Sequence, residues 1–145
     1  MQWQKLYYRI GSWAFILLGI CHLLTQWFAP RSADQEAIFD VMRNFAIKMP
    51  GSNGNLMEYY VGFSSTMGML LIAYGAQALL MVSFGGHNPE IERRLFALHT
   101  FVSGLVLVLT IKFFFLIPIV FMSVSFLSFG LGLGLGLLLV YRARG

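Results

Sequence analysis

The chain has 145 residues, of which 58% are hydrophobic and 11% charged, and a formal net charge of +4. A soluble domain is about half apolar and about a quarter charged, so this composition leaves too little polar sequence for a separate water-soluble domain. The basic residues are terminal anchors and not a continuous stripe, which argues against a nucleic-acid partner.

Met1–Tyr8 is a short amphipathic lead, with Trp3, Tyr7 and Tyr8 beside Lys5 and Arg9. Mixed aromatic and basic residues suit a membrane interface. A first apolar span over Ile10–Phe28 follows, closed by Trp27 and then Pro30. Gln26, Trp27, Phe28 and Ala29 lack the small-residue pattern of a signal-peptide cleavage site, so the span is read as uncleaved. The lone cysteine, Cys21, has no intramolecular disulfide or CxxC partner and is read as a small buried apolar residue.

Pro30–Met57 is the one substantial extramembrane segment. Ser32 with Gln35 forms a capping-box pattern, and Ile38, Val41, Met42, Phe45 and Met49 recur at helical spacing. A short amphipathic helix over about 33–49 is expected, lying on the membrane or capping the bundle. Pro50, Gly51, Asn53 and Gly54 then make a turn-rich linker.

A second span covers Tyr60–Phe84 and stops at Gly85–Gly86. A short loop, His87–Arg94, carries Pro89 where it suits the first turn of the next helix. The third span is Leu95–Ile117 and the fourth Ile119–Tyr141, divided at Pro118; the alternative is a re-entrant corner over Lys112–Ile119. Each stretch is close to or above the roughly 20 apolar residues that cross a hydrocarbon core. The expected fold is an all-α membrane protein, one domain over 1–145, with four transmembrane helices and an extramembrane amphipathic helix.

Lys5, Arg9, Arg93, Arg94, Arg142 and Arg144 fall on one side of such a protein, against Arg31, Arg43, Lys48 and Lys112 on the other. The excess of basic residues makes the side with both termini cytoplasmic.

Polar side chains within spans are costly and need a reason. With a helical rise of about 1.5 Å per residue, His22 lies roughly 9 Å below the outer end of the first span. Gln26, Ser64, Ser65, Thr110, Ser123 and Ser125 fall in the same outer half, beneath Glu58 and Lys112. These residues define a candidate outer polar pocket of His22, Gln26, Glu58, Ser64, Ser65 and Lys112, with Glu58 and Lys112 as a possible ion pair. The bland alternative is ordinary interhelical hydrogen bonding with snorkelling charges. A haem shared by His22 and His99 is disfavoured, because about 12 Å of depth separates them. No His/Cys/carboxylate cluster has zinc spacing, so no metal is expected. Gly130, Gly132, Gly134 and Gly136 form two overlapping GxxxG pairs, a helix-packing face that serves either an oligomer or tight packing within one bundle.

Gly19 and His22 late in the first span, the helical stretch Phe39–Phe45, and Tyr59–Tyr60–Val61–Gly62–Phe63 opening the second span resemble the DoxX-type superfamily of small four-helix bacterial membrane proteins. The resemblance covers about Ile10–Gly86. It implies a four-helix fold in a bacterial inner membrane and carries over no agreed reaction. The expected function is that of a non-enzymatic membrane component, self-assembling or joining a larger complex in contact with lipid through the glycine face. The alternative is a lipid- or quinone-handling protein or enzyme built on the polar pocket around His22.

Overall fold

The computed structural model describes residues 2–49, 51–84 and 89–142. Pro50, the Gly85–Gly86 stop, His87 and Arg144 lie outside those residues. The described chain forms α1 (Gln2–Phe28), α2 (Ala33–Asn44), β1 (Ala46–Met49), β2 (Ser52–Asn55), α3 (Leu56–Phe84), α4 (Pro89–Phe113) and α5 (Leu116–Arg142). Four of the helices are long and apolar enough to cross a membrane: Gln2–Phe28, Leu56–Val82, Glu90–Phe113 and Leu116–Leu139.

The fold departs from the sequence expectation in two places. The amphipathic helix stops at Asn44 and not near residue 49, and the following residues leave the all-α pattern. Phe45 is extended (φ −88°, ψ 100°), and Ala46–Met49 pairs antiparallel with Ser52–Asn55. Gly51 takes φ +82° in the turn, a conformation open to glycine at no steric cost. The fold-back gives the backbone after Asn44 a strand partner in place of further helical turns. The second departure is the boundary between the third and fourth spans. It falls at Phe114 and Phe115, and Pro118 sits in the first turn of α5. Its missing N–H there is one of the four that have no partner in any helix, so proline costs no hydrogen bond.

The chain folds as two compact units, Met1–Leu18 with Leu71–Gly145, and Gly19–Leu70; α1 and α3 contribute a segment to each. In the first unit the apolar core consists of Tyr8, Phe15, Leu18, Ala78, Phe96, Met122 and Phe129. The spacing explains which faces meet. Tyr8, Ser12, Phe15 and Ile16 of α1 are buried, as are Phe96, His99, Ser103 and Thr110 of α4, and Met122, Ser125, Phe129 and Gly132 of α5. Steps of three, four and seven residues keep each set on one helical stripe. Small residues bring the backbones together: a Cβ on Gly75 would stand 2.6 Å from the Ser12 carbonyl oxygen, and one on Gly11 would meet the Phe129 ring at 2.9 Å. Ser125 adds a buried hydrogen bond to the Gly11 carbonyl at 3.0 Å.

The second unit comprises the C-terminal turns of α1, α2, the hairpin and the first half of α3. No residue of α2 is buried. The expected capping box is present: the Gln35 amide donates to Ser32 Oγ (3.2 Å), and the Ser32 amide donates to Gln35 Oε1 (2.9 Å).

Candidate functional site

Within the second unit, α1 and α3 are joined by two polar contacts. His22 Nε2 lies 3.1 Å from the Ser64 carbonyl oxygen and 2.9 Å from Ser64 Oγ. A carbonyl can only accept, so the contact with it requires a proton on Nε2. One turn further along α1, Gln26 Nε2 donates to the Val61 carbonyl (3.2 Å) and to Ser65 Oγ (3.4 Å). Gly68 makes the approach possible, since a Cβ there would stand 2.7 Å from the Leu23 side chain and 3.2 Å from the His22 ring. Gln26 Oε1 is buried and without a hydrogen-bond partner among the described residues. Thr25 turns its hydroxyl inward to the Cys21 and His22 carbonyls of its own helix.

Beside Gln26 is a pocket of about 170 Å³, whose wall includes Gln26, Trp27, Arg31, Gln35, Phe39 and Tyr60. The Arg31 guanidinium lies 4.7 Å from the centre of the Phe39 ring, and Phe39 and Tyr60 pack at 6.0 Å. Glu36 bridges Arg43 at 2.6 Å and Arg31 at 3.6 Å, and Arg43 also reaches Asp40. The hydrogen bond from Arg43, aided by both guanidinium charges, holds the Glu36 carboxyl below its usual range, and the same contact raises Arg43.

Five of the expected pocket residues, His22, Gln26, Glu58, Ser64 and Ser65, belong to the second unit, and Lys112 belongs to the first. Glu58 has a local task. Its Oε2 accepts from the Asn55 amide (3.2 Å) while its own amide donates to Asn55 Oδ1 (2.9 Å), a reciprocal cap on α3. The Asn55-x-x-Glu58 spacing carries this signal in the sequence. Lys112 Nζ lies 5.2 Å from the centre of the Phe113 ring. Cys21 is half-buried and free.

The glycine face splits in two. Gly132 and Gly136 point into the first unit, where a Cβ would stand 2.1 Å from Phe96 and 2.8 Å from Gln4 Nε2 respectively. Gly130 is loosely approached by Thr100 Cγ2 at 3.9 Å, and Gly134 has no neighbouring atom within 4 Å.

The first unit also contains a polar cluster that the sequence did not single out. Tyr74 Oη and His99 Nδ1 are 2.5 Å apart, with Tyr8 packed edge-on against His99. Tyr74 and His99, two ring-bearing polar residues inside the sequence-read spans, are the available signal, while Tyr8 precedes the first of those spans. His22 and His99 belong to different units, each with its own hydrogen-bond partner. Among the described residues no group of three or more His, Cys, Asp or Glu could hold a metal. Comparison with known protein families, with curated proteins and with solved structures gives no match for this chain.

Proposed function

We propose that this is a multi-pass protein of a bacterial inner membrane, with both termini cytoplasmic, that holds the head of a lipid-like amphiphile in the pocket of the second unit. The pocket around Gln26 and Arg31 carries the proposal. A pocket that combines a guanidinium with the Trp27, Phe39 and Tyr60 rings suits a head group with an anionic oxygen. A volume of about 170 Å³ accommodates a head group and not a whole lipid, leaving the tails along the apolar faces of the helices. The protein acts by holding its ligand, without transforming it. The sequence resemblance to DoxX-type membrane proteins agrees with this setting and contributes no reaction.

Purification from native membranes followed by lipid mass spectrometry tests the proposal. The wild type is expected to retain one lipid class at a fixed ratio. Arg31→Ala and Gln26→Ala, with the helical circular dichroism unchanged, are expected to lose it. Retention of the same lipid by the folded double variant would refute the pocket.

A second role, assembly through helix packing, is favoured by one observation: Gly134 is open, and Gly130 nearly so, at GxxxG spacing on α5. Exposed Leu127, Leu131 and Leu138 extend the apolar surface of that helix. Gly134→Leu is expected to shift a self-assembled or hetero-complexed species to the monomer in native mass spectrometry. An unchanged mass would remove this role.

A further inference from the structure

Two faces of α2 are engaged within the second unit. Gln35 and Phe39, one turn apart, form part of the pocket wall. Arg43 bridges Glu36 and Asp40, and Arg31 adds a second contact to Glu36. The remaining face is apolar and open. Ile38 and Val41, three residues apart, are 60% and 68% exposed, and Phe45, which caps the helix, is 58% exposed. Asp34 lies in the first turn, at the N-terminal edge of this stripe.

The first turns of α3 fix where the stripe sits. Phe39 packs on Tyr60 at 6.0 Å, and the Leu56 amide donates to the Phe45 carbonyl at 2.9 Å. Leu56 and Tyr60 open the candidate span Leu56–Val82. Ile38 and Val41 stand within about 3 Å of Phe39 along the helix axis, at a rise of about 1.5 Å per residue. An apolar stripe is thus pinned beside the mouth of a span. Of the two positions expected for this helix, on the membrane or over the bundle, the first agrees with an α2 that buries no residue. The four interlinked charges of Arg31, Glu36, Asp40 and Arg43 cancel, so the apolar stripe and not the charge sets the partner. A stable protein interface takes about 800 Å² and some 20–30 residues from each side. Three large apolar side chains fall far short of that, whereas an interfacial helix needs only one apolar face set at the boundary between head groups and acyl chains.

We propose that a lipid surface is the partner of this face, with Ile38, Val41 and Phe45 inserted at the membrane interface and the Glu36–Asp40–Arg43 side turned to water. The inference rests on the membrane setting proposed above and not on the amphiphile held in the pocket.

Nitroxide labelling of the full chain in vesicles of phosphatidylethanolamine and phosphatidylglycerol tests this. Cys21→Ala removes the native thiol, and single labels enter through Ile38→Cys, Val41→Cys, Asp40→Cys and Phe101→Cys. Asp40 lies about 160° round the helix from Ile38, at 3.6 residues per turn. Phe101 is exposed near the middle of the candidate span Glu90–Phe113 and reports whether the chain crosses the bilayer. Oxygen, which partitions into lipid, and a water-soluble nickel chelate serve as relaxing agents. The Ile38 and Val41 labels are expected to relax severalfold faster with oxygen than with nickel, and the Asp40 label the reverse. Nickel access at Ile38 and Val41 equal to that at Asp40, with Phe101 shielded, would overturn the lipid contact and leave the membrane setting standing. Shielding of Ile38 and Val41 from both agents would assign the face to a second copy of the chain and overturn it as well. Nickel access at Phe101 would overturn the membrane setting itself.

Discussion

Every buried residue larger than glycine among those described belongs to the first unit; the second unit buries only Gly19 and Gly68. The contrast extends to the two histidines within described spans. His99 is enclosed by Tyr8, Phe129 and Tyr74, whereas His22 is half-buried and bonded to Ser64. The first unit thus combines close packing with buried hydrogen bonds, while the second rests on hydrogen bonds, helix caps and ion pairs without a buried side-chain core. In a bilayer this difference has energetic weight. Lipid tails are as apolar as leucine, so helices gain stability from close packing and polar contacts and not from burial as such.

The sharpest way to break the contrast is to spoil the packing of the first unit. Gly75→Val places atoms against the Ser12 carbonyl oxygen, which stands 2.6 Å from the site of a Cβ and belongs to helix backbone that cannot rotate away. A loss of about 3 kcal/mol is expected, at the upper end for overpacking. Phe129→Ala removes a fully buried ring. At about 24 cal/mol per Å³ over roughly 100 Å³, its cavity alone costs about 2 kcal/mol. Reversible unfolding in mixed micelles measures both. Wild-type stability in either variant would show that the first unit lacks the packing described.

The glycine face offers a finer comparison on a single helix. Gly132→Leu meets Phe96 and is expected to cost about 2 kcal/mol. Gly134→Leu meets nothing within 4 Å and is expected to leave the isolated fold unchanged. Equal losses in the same micelle titration would refute the split into inward and open glycines.

Much of the fold was legible because hydrophobic length is a long-range signal: four helices able to cross a membrane follow from apolar runs alone. The Ser32–Gln35 cap was legible because it is local. The hairpin is not legible because Phe45 and Met49 continue a helical spacing, and periodicity cannot weigh a strand partner that arises only once Gly51 turns the chain back. Within the candidate site, His22, Gln26, Ser64 and Ser65 were placed together by counting residues along helices, which fixes depth. Depth does not fix azimuth. The sequence therefore had no means of separating Gly132 from Gly134, or of seeing that Glu58 folds back on Asn55.

For the second unit, smaller effects are expected. His22→Ala removes the contacts to Ser64, and a net hydrogen bond is worth about 1 kcal/mol. Glu58→Ala opens one half of the α3 cap, at a cost of about 0.5–1 kcal/mol. Amide hydrogen exchange over residues 56–66 should accelerate in both variants, with the first unit unaffected. A uniform acceleration across α4 and α5 would show that the hydrogen bonds of the second unit hold the whole chain.

The weakest expected effect is the dependence of α2 on pH. Arg43 lowers the Glu36 pKa from its ordinary value of 4.5 by hydrogen bonding and charge, so the folded helix favours the carboxylate. A group depressed in the folded state contributes its stability above the unfolded pKa and loses it as pH falls through the folded one. The loss therefore belongs below about pH 4.5 and not near neutrality. It is small, because the pair is open to solvent and salt. Exchange of the α2 amides, followed from about pH 6 to about pH 3 and corrected for intrinsic rates, should lose protection only at the acid end. In Arg43→Gln that acid step should shrink, since the Glu36 carboxyl loses the largest of the contacts that depress it and keeps only Arg31. An acid step of equal size in Arg43→Gln would assign it to Asp34, since the substitution removes the Arg43 contacts of both Glu36 and Asp40, and those bridges would then have no measurable part in holding α2.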